Sequence, residues 1–178
     1  MGKERKVILY IAMSLDGYIA APDSSLDFLS IVEEEGQDYG YTDFVNTVDS
    51  VIVGRKSYDK VISMGYEYPL TDKDVYVMTR TSRPTLGKVK FHTGDLRELV
   101  LNLKSKKGKN IYVDGGAEIV NELLMNDLID EFYISIIPIL LGEGITLFKN
   151  GEHPKLKLKL ISSRPYNKGL VQLHYAKT

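Results

Sequence analysis

One octapeptide limits what this chain can become: Val51-Ile52-Val53-Gly54-Arg55-Lys56-Ser57-Tyr58. Three consecutive β-branched apolar residues fit a strand buried on both faces. A glycine then turns the chain, and a basic, polar segment opens a helix. The backbone bends sharply at such a junction and can be approached closely, which Gly54 permits. Free N–H groups of the new helix, with Arg55, Lys56 and the Ser57 hydroxyl beside them, make a place for an anion, with phosphate the obvious candidate. The plainer alternative is a simple turn followed by solvated cations. Although Gly54-Arg55-Lys56-Ser57 copies the end of a phosphate-binding P-loop, Asp49 stands where that motif has its first glycine, and strand residues fill its loop.

The same strand-to-helix rhythm runs through most of the chain. Lys6–Ala12 is a near-continuous apolar run, and the turn at Asp16-Gly17 returns Ile19 towards the body. Ser25 or Asp27 can cap a helix carrying Phe28, Leu29 and Val32, and a second helix is expected over Tyr39–Val48. The helix after Gly54 runs to about Met64. Strands follow at Asp74–Met78 and Val89–Phe91. Thr93 or Asp95 caps a helix over Leu96–Leu103, whose apolar positions 96, 99, 100 and 103 share one face. Asn110–Val113 is another strand, leading through Asp114-Gly115-Gly116 into a helix over Ala117–Met125. After the apolar strand Asp130–Pro138 come strands alone, Leu156–Ile161 and Leu170–Ala176, a terminal antiparallel pair. This order predicts an α/β architecture with a mostly parallel central sheet, helices on both sides, and an antiparallel C-terminal edge.

Composition narrows the class of function. With 178 residues and no linker or repeat, residues 1–178 read as a single domain. The net charge of −1 argues against nucleic acid or an anionic membrane as partner, so an anion site must be local. Cysteine is absent, which removes disulfides and thiol catalysis, and His92, His153 and His174 lack metal-ligand spacing. No apolar run reaches the roughly 18–20 residues of a membrane span, and no signal peptide opens the chain, so a cytoplasmic protein is expected.

In parallel sheets, ligands bind beyond the carboxyl ends of the strands. The stretches there are Ala12–Asp16, Gly54–Ser57, Thr79–Ser82 and Asp114–Gly116. Their order and spacing resemble the dihydrofolate reductase fold, a three-layer sandwich. The resemblance is closer still to the reductase domain of the bifunctional riboflavin-biosynthesis deaminase-reductase. It is carried by Ser14-Leu15-Asp16-Gly17-Tyr18-Ile19-Ala20, Val53–Tyr58, Asp114-Gly115-Gly116-Ala117-Glu118, Leu128–Glu131, Ile137-Pro138, Gly142-Glu143-Gly144 and Leu147-Phe148. It spans residues 5 to 148.

That resemblance implies an oxidoreductase that uses NADPH on a small heterocyclic or sugar-derived substrate, as a homodimer. Gly54, Arg55, Lys56 and Ser57 would hold cofactor phosphates, and Gly115, Gly116, Ala117 and Glu118 would receive the pyrophosphate, with a cis peptide between the glycines. Thr79, Arg80 and Thr81 would lie by the adenine ribose, Arg80 suiting the 2′-phosphate of NADP. Ala12 and Ile19 would flank the nicotinamide, under a mobile loop. Asp114 is the first choice for orienting substrate, with Asp38 or Asp43 as proton relay, although Asp114 could instead cap the following helix. Lys73 stands in for the arginine that grips the folate tail. Dihydrofolate reduction is the runner-up reading, and a non-catalytic NADP-binding dimer is the third.

Overall fold

A computed structural model of the chain describes residues 4–151 and 153–178. Its strands are β1 (Val7–Ser14), β2 (Tyr18–Ala20), β3 (Val48–Gly54), β4 (Asp74–Met78), β5 (Val89–His92), β6 (Asn110–Gly115), β7 (Glu131–Ile137), β8 (Ile145–Thr146), β9 (Leu158–Pro165) and β10 (Val171–Lys177). The α-helices are α1 (Tyr41–Val45), α2 (Arg55–Ser63), α3 (Leu96–Ser105) and α4 (Ala117–Met125). Eight strands form one sheet in the order β5-β4-β3-β6-β1-β7-β10-β9. The first six are mutually parallel. β10 runs antiparallel to β7, and β9 antiparallel to β10. The mostly parallel sheet with its antiparallel C-terminal edge is therefore the architecture expected.

Alternation along the strands makes three layers. β1 sends Val7 and Leu9 into a core shared with Leu99 and Val100 of α3 and with Val120 and Leu123 of α4. Ile8 of the same strand joins the other core, with Phe44 of α1 and Tyr58 of α2. Both faces of the sheet are thus covered, which explains the unbroken apolar runs in its central strands. α3 begins at Asp95, whose side chain accepts the Glu98 N–H at 2.8 Å, so Asp95 rather than Thr93 is the cap.

Three expectations change. Asp27–Val32 forms a 3-10 helix, not an α-helix, burying only Phe28 and Val32. The helix expected over Tyr39–Val48 shrinks to Tyr41–Val45. Gly40 enters it left-handed at φ 81°, and Val48 is already fully buried in β3. The final strand pair is shifted, β9 running over Leu158–Pro165 with a bulge opposite His174 and Tyr175. A two-stranded ribbon of β2 and β8 lies beside the main sheet. Gly144 introduces it at φ 146°, and a Cβ there would stand 2.3 Å from the Ala20 carbonyl oxygen, so no other residue fits. Among the described residues, no helix is long and apolar enough to cross a membrane.

Arg5 fastens the amino end of the sheet. It is 5% exposed and donates to the Leu103 carbonyl at 3.0 Å, the Lys109 carbonyl at 2.6 Å and Ser50 Oγ at 2.9 Å, and it pairs with Asp49. Removing it strands those acceptors. Arg5→Met should lower the free energy of unfolding by roughly 3 kcal/mol in urea titration, since breaking a buried, hydrogen-bonded charge leaves its partners unpaired. A midpoint equal to the parent's would show that water replaces these bonds without loss.

Candidate active site

Two helix N-termini open side by side at the carboxyl edge of the sheet. β3 and β6 are neighbours, with Val53 opposite Gly115, and α2 and α4 start immediately after them. Neither start has a side-chain cap, Gly54 and Gly116 holding those positions. The first N–H groups of both helices therefore lack side-chain acceptors, which suits an anion. The gap between them is narrow. A Cβ on Gly116 would stand 3.0 Å from Ser57 Oγ, and one on Gly54 would be 3.6 Å from the Gly116 nitrogen and 3.2 Å from Ile119 Cγ1. The Gly115–Gly116 peptide is cis, as the resemblance implies. In the first turn of α4, Ala117 is buried while Glu118 is exposed and meets Lys56 at 3.3 Å. Both side chains are largely solvated, so that pair is worth at most about 1 kcal/mol.

A second group of cations lies beside this edge. Arg55 pairs with Asp59 at 2.7 Å, and Arg83, from the segment between β4 and β5, binds the same carboxylate at 2.8 and 3.2 Å. Hydrogen bonding from Arg83, then from Arg55, holds the Asp59 carboxyl below its ordinary range. The Arg83 guanidinium also lies 5.3 Å from the Phe91 ring centre. Sequence reading missed Arg83 because its partner is 24 residues away. Thr79 Oγ1 accepts the Thr81 N–H at 3.1 Å, shaping the turn that presents Arg80 to solvent.

The carboxylates separate clearly. Asp114 does not cap α4, whose cap position is Gly116. It accepts instead from two phenols, Tyr112 at 2.7 Å on one oxygen and Tyr68 on the other. Burial, then the Asp114 charge, pushes both phenols far above their ordinary range, so they remain protonated donors. Asp38 lines a cleft of about 540 Å³ together with Tyr10, Ala12, Tyr41, Ser135 and Ile137. Its two oxygens accept the Gly40 and Thr42 N–H groups, each at 3.0 Å. The Thr42 hydroxyl and those amides hold the Asp38 carboxyl below its usual range, so it stays ionised at neutral pH. Burial pushes Tyr10 and Tyr41 up to about 12.

Other expected residues fall elsewhere. Asp43 is exposed on α1 and is not part of the cleft wall. Lys73 precedes β4, at the amino end of a parallel strand, in a separate depression with Arg5 and Asp49. It is thus at the wrong end of the sheet to grip a ligand tail in the cleft. Ala12 reaches the cleft, whereas Ile19 packs against the core beneath α3 and α4. The loop between them is tied down by Asp16. It accepts the Ser14 hydroxyl at 2.5 Å and the Leu141 and Gly142 N–H groups at 3.1 and 2.8 Å.

The sheet order, three layers and paired helix starts define a reductase-like α/β fold of the dihydrofolate reductase type. Dihydrofolate reductase from Enterococcus faecalis, complexed with NADP(H) and RAB-propyl, aligns with a TM-score of 0.68 at 17% identity, covering 97% of this chain and 96% of that one. The chain belongs to the RibD C-terminal domain family, which matches residues 5–172. It is 44% identical over 175 residues to the uncharacterized protein YwjB of Bacillus subtilis (strain 168), covering 98% of this chain and 99% of the relative. A candidate riboflavin biosynthesis protein from Shewanella sp. PV-4 superposes with a TM-score of 0.86 at 35% identity, covering 97% of this chain and 99% of that structure.

The Asp16 latch has a predictable pH response. Hydrogen bonds from the Ser14 hydroxyl, then from the Gly142 and Leu141 amides, lower its carboxyl below the ordinary value. Its contribution is complete above the unfolded value of about 3.9 and fades as pH falls through the lower folded one. Asp16→Ala should therefore lower the hydrogen-exchange protection factors of the Leu141 and Gly142 amides at neutral pH, and in the parent the same protection factors, corrected for the intrinsic rate, should fall as the pH drops through the lowered Asp16 range. Unchanged protection in the variant would show that the loop is held by other contacts.

Proposed function

We propose that the protein is an NADPH-dependent reductase of a small heterocyclic or sugar-derived substrate, akin to the 5-amino-6-(5-phosphoribosylamino)uracil reductase of riboflavin biosynthesis. The observation that carries this reading is the pair of uncapped helix N-termini separated by glycines, a cradle that a single Cβ at position 116 would fill. Such a cradle fits a pyrophosphate. When bound, the reduced nicotinamide supplies hydride. The protein's part is to bind, orient and exclude water. The first turns of α2 and α4 hold phosphates, with Ser57 between them and Lys56 and Glu118 at the rim. Arg55 and Arg80 supply positive charge, Arg80 towards a 2′-phosphate, with Thr79 and Thr81 shaping its turn. Asp114, fixed by Tyr68 and Tyr112, accepts hydrogen bonds from the substrate. Asp38 serves as a second anionic acceptor.

Folate reduction fits less well. Lys73 lies in a separate depression, and among the described residues no cation lines the cleft wall. Dihydrofolate should be a poor substrate, with kcat/KM below the usual enzyme range of about 10⁴–10⁸ M⁻¹s⁻¹. NADPH oxidation measured against aminopyrimidine-ribose compounds tests the main reading. Binding without turnover on any of them would leave a dinucleotide-binding scaffold.

Cofactor choice gives a sharper test. NADPH should bind more tightly than NADH, and Arg80→Ala should erase most of the difference, each lost phosphate contact costing roughly 1.5–3 kcal/mol. Equal affinity of the parent for both cofactors would remove the role given to Arg80. Asp114→Asn should lower turnover while leaving NADPH affinity nearly unchanged.

The same reading includes a two-fold homodimer. The apolar strand β7 is paired on both sides, with β1 and β10, and offers no free edge. β9 is the exposed edge, with Leu158, Leu160 and Ile161 at 38%, 50% and 50% exposure. An uncovered apolar edge of this kind favours pairing with a second copy. Light scattering giving the mass of one 20.1 kDa chain would defeat it.

A further inference from the structure

Resting on the reductase reading of this cleft, we infer that Gln172 of the C-terminal strand β10 is a positioning residue: it fixes Ser135 as a hydrogen-bond donor that selects a substrate ring carrying an oxo or ring-nitrogen acceptor. Ser135 lies on β7 between Ala12 of β1 and Gln172 of β10, its register partners on either side. It is 5% exposed and lines the cleft with Ala12 and Tyr10. The side-chain amide nitrogen of Gln172 faces three oxygens, Tyr10 Oη at 2.9 Å, the Tyr39 carbonyl at 3.2 Å and Ser135 Oγ at 3.2 Å.

The Tyr39 carbonyl decides which way the amide turns. A carbonyl oxygen only accepts, so the nitrogen end of Gln172, not its oxygen, must face it. Tyr10 spends its own hydrogen on the same carbonyl at 3.0 Å, which leaves its oxygen to accept from Gln172. Ser135 Oγ therefore accepts as well, and its hydrogen has to point elsewhere. Among the described residues no acceptor takes that hydrogen: Ala12 offers a methyl group on one flank, and Gln172 offers N–H on the other. The cleft is the direction that remains. A buried hydroxyl hydrogen without an acceptor is costly, and a ligand carbonyl or ring nitrogen would satisfy it. Asp38, on the same cleft, can only accept while ionised. The two groups thus ask for a ring with an acceptor at one position and an N–H or O–H at another. An oxo-pyrimidine bearing amino groups has both.

The test is isothermal titration of the full chain with 5,6-diaminouracil and with 4,5-diaminopyrimidine, the same ring without its two oxo groups. Ser135→Ala should weaken the uracil about three- to tenfold, the usual scale of one neutral hydrogen bond, and leave the diaminopyrimidine unchanged. Gln172→Met, which keeps the length of the side chain and removes its amide, should do the same. In the double variant the loss should be no larger than in the weaker-binding single variant, because Gln172 acts through Ser135. A merely structural role would weaken both rings alike and would add in the double variant. Either result overturns the inference, as does diaminouracil binding that ignores both substitutions, or no diaminouracil binding by the parent. The expected pattern in a chain that oxidises NADPH with no aminopyrimidine-ribose compound supports the inference and instead sinks the reductase reading.

Discussion

Side-by-side parallel pairing of β3 with β6 is the constraint on which the candidate site depends. Each strand of a parallel sheet must hand its chain to a crossover at the same edge. Here the two crossovers leave in opposite directions, since α2 packs on one face and α4 on the other. Their N-termini therefore meet above the junction of Val53 and Gly115. The glycines follow from that convergence. At position 116 a side chain would press on Ser57, and at 54 it would press on Ile119. Small residues here keep two sets of unpaired N–H groups within reach of one ligand.

Charge is divided along the same edge. On the side of β3 and β4 stand Arg55, Lys56, Arg80 and Arg83, with Asp59 holding two of the guanidinium groups in place. On the side of β1 and β7 the cleft wall is carboxylate and phenol. The two halves thus differ in charge, cations on one side and carboxylates with phenols on the other. Near-neutral overall charge conceals this separation completely. It also explains why the lysines around Lys73 and Lys88 at the other edge contribute nothing to the site, for they surround the amino ends of the strands.

How far the sequence shows all this depends on whether a signal is local. Gly54, Gly115 and Gly116 stand between an apolar run and a helical period, so strand, turn and helix are all read within about ten residues. The layer order follows from the same alternation. Asp38 and the Asp27–Val32 segment are harder, because a capped helix and a single 3-10 turn begin with the same residue types. Lys73 misleads for a geometric reason: a residue before a parallel strand lies at the opposite edge from one after it. Arg83 and Tyr68 leave no local trace. Their partners, Asp59 and Asp114, are 24 and 46 residues away, and only the folded sheet brings them together.

Tyr68 also ties the two halves of the site to one element. Its ring lies 5.5 Å from that of Tyr58, on the buried face of α2, and its hydroxyl donates to Asp114 at the end of β6. α2 thus presents its uncapped N-terminus at the sheet edge and, through the Tyr58–Tyr68 contact, sets the partner that orients the Asp114 carboxylate. Tyr112 holds the second Asp114 oxygen from within β6 itself, so the carboxylate is fixed by one phenol from β6 and one from the segment between α2 and β4. Two buried phenols, kept protonated by burial and by the charge they solvate, leave Asp114 few ways to turn. In the reductase proposed, an acceptor held so firmly would discriminate by geometry: a substrate donor would have to come to it, because the carboxylate is not free to turn towards the donor.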